Sequence, residues 1–151
     1  MSDAFKEKAF IWQIDGRHYA FPLSSIVRVV MSVALVPCKV PQPFLKGWLN
    51  YAQVQIPAFD IRAWLGLSSK EVTTSDLAII FSAAGKLAAC FVDNATGIKS
   101  IAELTEATKS TLSMRNGKVI AYTDSNDLIF LLRSEPIVQQ IGSIYDAGGT
   151  R

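Results

Sequence analysis

Histidine is almost missing from this chain: His18 is the only one in 151 residues, and the two cysteines, Cys38 and Cys90, lie far apart. One histidine and two scattered thiols cannot make a zinc ligand set or a CxxC redox pair, so both cysteines read as apolar fillers. Charge of one sign is lacking too. Fifteen basic and 13 acidic residues give a formal net charge of +2 with no lysine or arginine run, which argues against nucleic acid or an anionic membrane as the main partner. No apolar run approaches the roughly 18 residues of a membrane span, and the opening MSDAFKEKAF is too charged for a secretory signal. The expectation is a cytoplasmic location with no direct membrane insertion. Walker and dinucleotide glycine patterns are absent, as is the elbow of a serine nucleophile, so Ser24 or Ser25 reads as a turn cap.

Short apolar stretches with strand-like alternation are abundant. Half of the residues are hydrophobic, enough for a chain of this length to bury a core of its own. Asp15-Gly16 separates AFIWQI from RHYAFPL and is a strong hairpin signal. SSIVRVVMSVALVPC is rich in β-branched residues and reads as strand, after which Pro37, Pro41 and Pro43 mark a loop that cannot be a central strand. Strands follow at residues 48–51 and 54–59. Asp60 then stands as the cap of a helical turn, IRAWL, that Gly66 closes, with Arg62 an exposed side chain on the turn. Residues 68–76 form a polar connector and the most plausible boundary inside the chain. LAIIFSAAGKLAACFV repeats the hairpin logic at Gly85, and Asn116-Gly117 marks another hairpin. The tail SEPIVQQIGSIYD places Ile137, Val138, Ile141 and Ile144 at helical spacing behind a Ser134 cap. Setting Gly16 over Gly85 brings out a faint internal repeat, which suggests two similar short-stranded subdomains.

Candidates for chemistry are few. His18 is the only side chain that would titrate near neutrality unaided, and within its hairpin it reads as a solvent-facing strand residue rather than a catalyst. Asp93 and Asn94 in DNATG read as a turn pair. Trp12 and Trp64 read as core, whereas Trp48, close to Pro41, Pro43 and Phe44, fits both core and an exposed anchor for a protein partner. A binding module is favoured over an enzyme.

Four stretches carry a resemblance to a known family: HYAFPLSSIVRVV, VPCKVPQPFLKG, GWLNYAQVQIPAFDIR and CFVDNATGI. They resemble the CheW family of chemotaxis coupling proteins, with Pro41, Phe44, Leu45, Gly47, Asn50, Pro57, Asp60 and Arg62 on the family pattern. The resemblance implies a mainly β fold of two intertwined small SH3-like β-barrel subdomains, with short helical turns and a C-terminal helix. It implies one CheW-like domain over 1–151, with subdomain 1 at about 10–66 plus the C-terminal segment and subdomain 2 at about 76–133. It further implies a non-enzymatic adaptor without cofactor or metal, whose partners are the regulatory domain of a CheA-type histidine kinase and the cytoplasmic tip of methyl-accepting chemoreceptors. The partner-binding residues would be Ile26, Arg28 and Val29 on the first subdomain, Gly47, Trp48, Asn50 and Ala52 in the central stretch, and Val92 and Asp93 on the second. Two positions depart from the pattern: Arg28 replaces a glutamate, and Ala52-Gln53 replaces Arg-Gly. These departures suit a divergent member serving a pilus-type or other non-flagellar system, or one that binds a single partner. A rival from another class is a small-barrel nucleic-acid binder, which needs aromatics interleaved with a basic strip. A second rival is a hydrolase using His18.

Overall fold

Asp15 and Gly16 both take positive φ, 53° and 78°, as a two-residue turn joining right-twisted strands requires. The turn joins β1 (Lys8–Ile14) to β2 (Arg17–Pro22), with Ile14 opposite Arg17. The computed structural model describes residues 7–31, 34–38, 42–83, 85–101, 105–106, 112–114, 117–124, 127–132, 137, 139–140 and 142.

After a 3-10 turn, Leu23–Ser25, come β3 (Ile26–Met31), β4 (Leu35–Pro37), β5 (Leu45–Tyr51) and β6 (Val54–Phe59). The capped turn is α1 (Ile61–Trp64). Then follow β7 (Leu77–Ala83), β8 (Lys86–Val92), β9 (Asn94–Ser100), β10 (Thr105–Glu106), β11 (Leu112–Met114), β12 (Gly117–Asp124) and β13 (Asp127–Leu132). They form two sheets. The seven-stranded sheet runs β10-β12-β13-β2-β1-β9, with β11 on β12, and the six-stranded sheet runs β3-β7-β8-β6-β5-β4. The first sheet thus takes β1, β2 and the described strands after β8, while the middle of the chain builds the second. The polar connector 68–76 joins α1 to β7, and the strands flanking it, β6 and β7, both belong to the second sheet.

Local chemistry accounts for most boundaries. Pro37 sits in β4, on a sheet edge where a missing N–H costs nothing to a ladder. The Asp60 carboxylate accepts from the Ala63 N–H at 3.1 Å, and Gly66, at φ 75°, ends the turn through Gly66 N–H to Ala63 O and Leu67 N–H to Arg62 O. Both caps agree with the sequence reading. Met114 lies opposite Gly117 across the β11–β12 hairpin; Asn116 itself lies outside the described residues.

The largest core cluster lies between the sheets. Trp12, Ile14, Tyr19 and Phe21 from the first meet Phe59, Ile79, Phe81, Cys90 and Val92 from the second, with Ile61 and Trp64 of α1 alongside. Trp12 stacks on Tyr19 with ring centroids 5.1 Å apart. Full burial of each large side chain contributes roughly 1.5–3 kcal/mol. The outer faces are buried as well, the second sheet over Leu49, Ile56, Ala78, Ile80 and Phe91 and the first over Ala9, Ile11, Ala20, Ile129 and Leu131. Burial on both faces explains why LAIIF and AACFV are continuous apolar runs. Complete burial pushes the Cys90 thiol far up, so it stays protonated and inert.

One expectation needs correction. Neither sheet closes into a barrel among the described residues: β3, β4 and β9 end their strand orders, and closure needs a last strand returning to the first, a pairing that hairpin signals do not encode. The expected C-terminal helix lies mostly outside the described residues; those described in that stretch, Ile137, Gln139, Gln140 and Gly142, have helical backbone, and Ile137 is fully buried in the main cluster.

Candidate functional site

Close packing constrains the start of the central stretch. A Cβ on Gly47 would lie 2.4 Å from the Val36 carbonyl oxygen, so only glycine lets β4 pair with β5 here. Trp48 is 7% exposed and packs with Leu45 and beside Cys38. It is a core residue, not an exposed anchor. At the far end, Asn50 and Ala52 are exposed. Ala52 and Gln53 form the β5–β6 turn with φ of 50° and 66°. Neither residue favours that region, and a non-glycine residue held there costs roughly 1–2 kcal/mol.

Arg62 also differs from expectation. It is buried, 9% exposed, and joins three parts of the chain. Its two terminal nitrogens donate to the two Asp15 oxygens at 3.1 Å each, one also reaches Asp93 Oδ1 at 3.2 Å, and the other the Ser68 carbonyl at 3.2 Å. Asp93 Oδ2 accepts the Asp15 N–H at 2.9 Å, and the Asp93 N–H donates to Gln13 O at 3.0 Å. The guanidinium on α1, just after β6, therefore holds the first hairpin turn and the β8–β9 junction, where the chain passes from one sheet to the other. Burial works against the Arg62 charge, but hydrogen bonding and attraction from Asp15, then from Asp93, outweigh it and raise its pKa. A fork that binds carboxylate in two places suits arginine rather than lysine. The pattern was visible only as three charges each ending an apolar strand, in WQID, AFDIR and CFVD; no spacing rule brings them together.

His18 is half-buried in a chain of amides rather than facing solvent. Asn94 Nδ2 donates to Gln13 Oε1 at 2.9 Å, and Gln13 Nε2 lies 2.9 Å from His18 Nε2. A general base is normally oriented by a carboxylate, and here that place is held by a glutamine. Among the described residues no cluster of metal-ligating side chains occurs.

The nine expected contact residues divide by exposure. Arg28, Asn50 and Ala52 are exposed; Ile26, Val29 and Asp93 are half-buried; Gly47, Trp48 and Val92 are buried. Ile26 and Val29 pack against the main cluster, and the Asp93 carboxylate is engaged by Arg62. Gly47, Trp48 and Val92 can reach a partner only through the strands they hold in place. Arg28 on β3 and Ala52 after β5 are not neighbours in the sheet, where β7, β8 and β6 stand between their strands. Also on β3, Val27 (47% exposed) and Met31 (66%) leave apolar surface uncovered, a feature the sequence reading missed.

Comparison with known proteins places this geometry. The family model of the CheW-like domain matches residues 8–141. The crystal structure of the scaffolding protein TtCheW from Thermoanaerobacter tengcongensis superposes with a TM-score of 0.71 at 16% sequence identity, over 85% of this chain and 90% of that one. No curated protein matches.

Proposed function

This chain belongs to the CheW-like domain family, and from that premise we propose that it is a non-enzymatic, cytoplasmic adaptor of chemotaxis-like signal transduction. It couples the regulatory domain of a CheA-type histidine kinase to the cytoplasmic tips of chemoreceptors by protein contacts alone. The observation that carries the reading is the family match over residues 8–141. In this reading the chain is a single CheW-like domain whose two small SH3-like subdomains exchange strands. Its contact surface includes Arg28 with Ile26 and Val29 behind it, and Asn50 with Ala52 at the other side of the second sheet. Gly47, Trp48, Val92 and Asp93 hold that surface in shape. A narrower variant, an adaptor of a pilus-type or other non-flagellar system that binds one partner, is favoured by a specific observation: both departures from the family pattern, Arg28 and Ala52, are exposed.

The test is calorimetric titration of the purified protein with the regulatory domain of each CheA-type kinase encoded by the same organism. Micromolar binding that weakens in Asn50→Ala or Ala52→Glu supports the adaptor reading and assigns the β5–β6 end to the kinase. Receptor binding without kinase binding selects the single-partner variant. Binding to neither, together with salt-sensitive binding to a single-stranded oligonucleotide, replaces the reading with the nucleic-acid rival. Trp48→Ala is unsuited to the purpose, because removing a buried indole lowers stability by roughly 3–5 kcal/mol wherever partners bind.

A further inference from the structure

The outer face of the first sheet carries a cavity of about 280 Å³ that none of the nine expected contact residues lines. Ile11 on β1 and Ile129 on β13 form its apolar wall, with His18 of β2 between their strands and Gly97 and Lys99 of β9 beside Ile11. The register puts Ile11 opposite Gly97, and His18 opposite both Gln13 and Ile129, so these positions share one face. A Cβ on Gly97 would meet nothing within 4 Å, so the open space reaches over β9.

The polar groups of this wall are differently committed. The Thr96 hydroxyl donates to the Ile11 carbonyl at 3.3 Å. His18 is oriented by two amides: Asn94 Nδ2 donates to Gln13 Oε1, which leaves the Gln13 amide nitrogen to donate to His18 Nε2 at 2.9 Å. Nε2 of the neutral ring therefore offers its lone pair, and the ring proton sits on Nδ1. No carboxylate lines the cavity among the described residues, whereas a lysine does.

We propose that this cavity binds a small monocarboxylate with an apolar body, its carboxylate accepting from His18 Nδ1–H and its body lying on Ile11 and Ile129. An apolar wall with a few placed polar groups is the usual make-up of a small-molecule site. Size sets the body: a cavity of roughly 150 Å³ takes benzene, so this one suits about ten non-hydrogen atoms, the size of octanoate. Sign sets the head group, since an imidazole N–H and a lysine favour an anion and a cationic head finds no carboxylate to meet.

Water alone also fills polar-rimmed spaces of this size, and the two contents part on the head group. The experiment titrates the untagged, ¹⁵N-labelled full chain with octanoate, 1-octanol and octylamine at roughly pH 8, above the ordinary imidazole range. His18 is the single histidine, so the imidazole nitrogen signals are its own. The expected result is a protonated Nδ1 and an unprotonated Nε2 in the free protein, with an Nδ1 signal that moves on adding octanoate. Octanoate binds about tenfold more tightly than octanol, octylamine does not bind, and His18→Phe, which keeps a ring and loses the donor, weakens octanoate about tenfold. Circular dichroism and a thermal melt check the variant's fold. A protonated Nε2 in the free protein overturns the inference, as does octanol binding as tightly as octanoate or octanoate binding unchanged in folded His18→Phe. No response to octanoate overturns it too and leaves the cavity to water. The adaptor reading stands or falls separately, on the kinase and receptor titrations.

Discussion

The hairpin turns at residues 15–16 and 52–53 have nearly the same backbone and quite different chemistry. Each joins two strands of one sheet with two residues at positive φ, 53° and 78° in the first and 50° and 66° in the second. Asp-Gly is among the residue pairs that take this shape at least cost, and Ala-Gln is not. The first turn is also tied down, its aspartate gripped by Arg62. Among the described residues the second has no such ion pair and is held by the strands it joins, whose pairing runs from Leu45 opposite Phe59 to Tyr51 opposite Val54. One turn thus directs the chain, and the other is imposed on it by flanking strands whose buried residues, Leu49, Ile56, Ala58 and Phe59, leave no other register. Strain tolerated on an exposed turn marks a place where stability was not the governing requirement.

The largest expected effect breaks the tie at the first turn. Arg62→Ala leaves Asp15 and Asp93 facing each other without their counter-ion and is expected to cost about 2 kcal/mol; the figure sits below the range for a fully buried pair because both carboxylates keep contact with water. Urea denaturation should show the midpoint falling with the slope unchanged. Next, giving the second turn the residues its backbone asks for, Ala52→Asn with Gln53→Gly, should raise stability by about 1.5 kcal/mol in the same assay. If the double variant is no more stable than the wild type, the strain ascribed to this turn is not there. Third, Asp15→Asn keeps a residue that accepts positive φ but removes one charge from the Arg62 clamp, so it separates turn geometry from ion pairing; a loss of about 1 kcal/mol is expected.

The smallest effect lies outside both turns and serves as their control. Burial alone would raise the Asp76 pKa, but the Lys70 ammonium at 2.8 Å, the Thr73 N–H and the Thr73 hydroxyl outweigh it and hold the pKa below its usual 3.8. A carboxylate depressed in the folded state stabilises the protein above its unfolded pKa, and that contribution is lost as pH falls through the folded value. The stability gap between wild type and Asp76→Asn, about half a kcal/mol because Lys70 is partly exposed, should therefore close below about pH 4. Thermal melts across pH 2–7 check it.

The strands, the first hairpin and the Asp60 and Gly66 caps were legible in the sequence because each rests on neighbours within a few residues: alternation, a turn pair, a side chain reaching three positions along. Arg62 was misjudged for the same reason. On a four-residue helical turn the sequence shows a polar side chain next to an exposed connector, and only the fold brings Asp15 and Asp93, 47 and 31 residues away, to its guanidinium. Trp48 shows the same limit in an aromatic, since the cover that buries it comes from contacts the local pattern does not specify. The resemblance pointed to Arg28, Ala52, Gly47 and Val92 alike, but could not say that the first two are exposed and the last two buried.

By itself the sequence determined that this chain is built of short strands, where most of them turn, and that it lacks a histidine-cysteine or nucleophile set for chemistry. Those properties follow from local sterics and from composition. The tertiary structure decided how the strands are shared between two sheets, which charges meet at the crossing, and which side chains of β3 remain in water. Pairing and burial between distant segments set these outcomes, because a buried charge must find its partner and an edge strand must leave one side open wherever the chain happens to bring them.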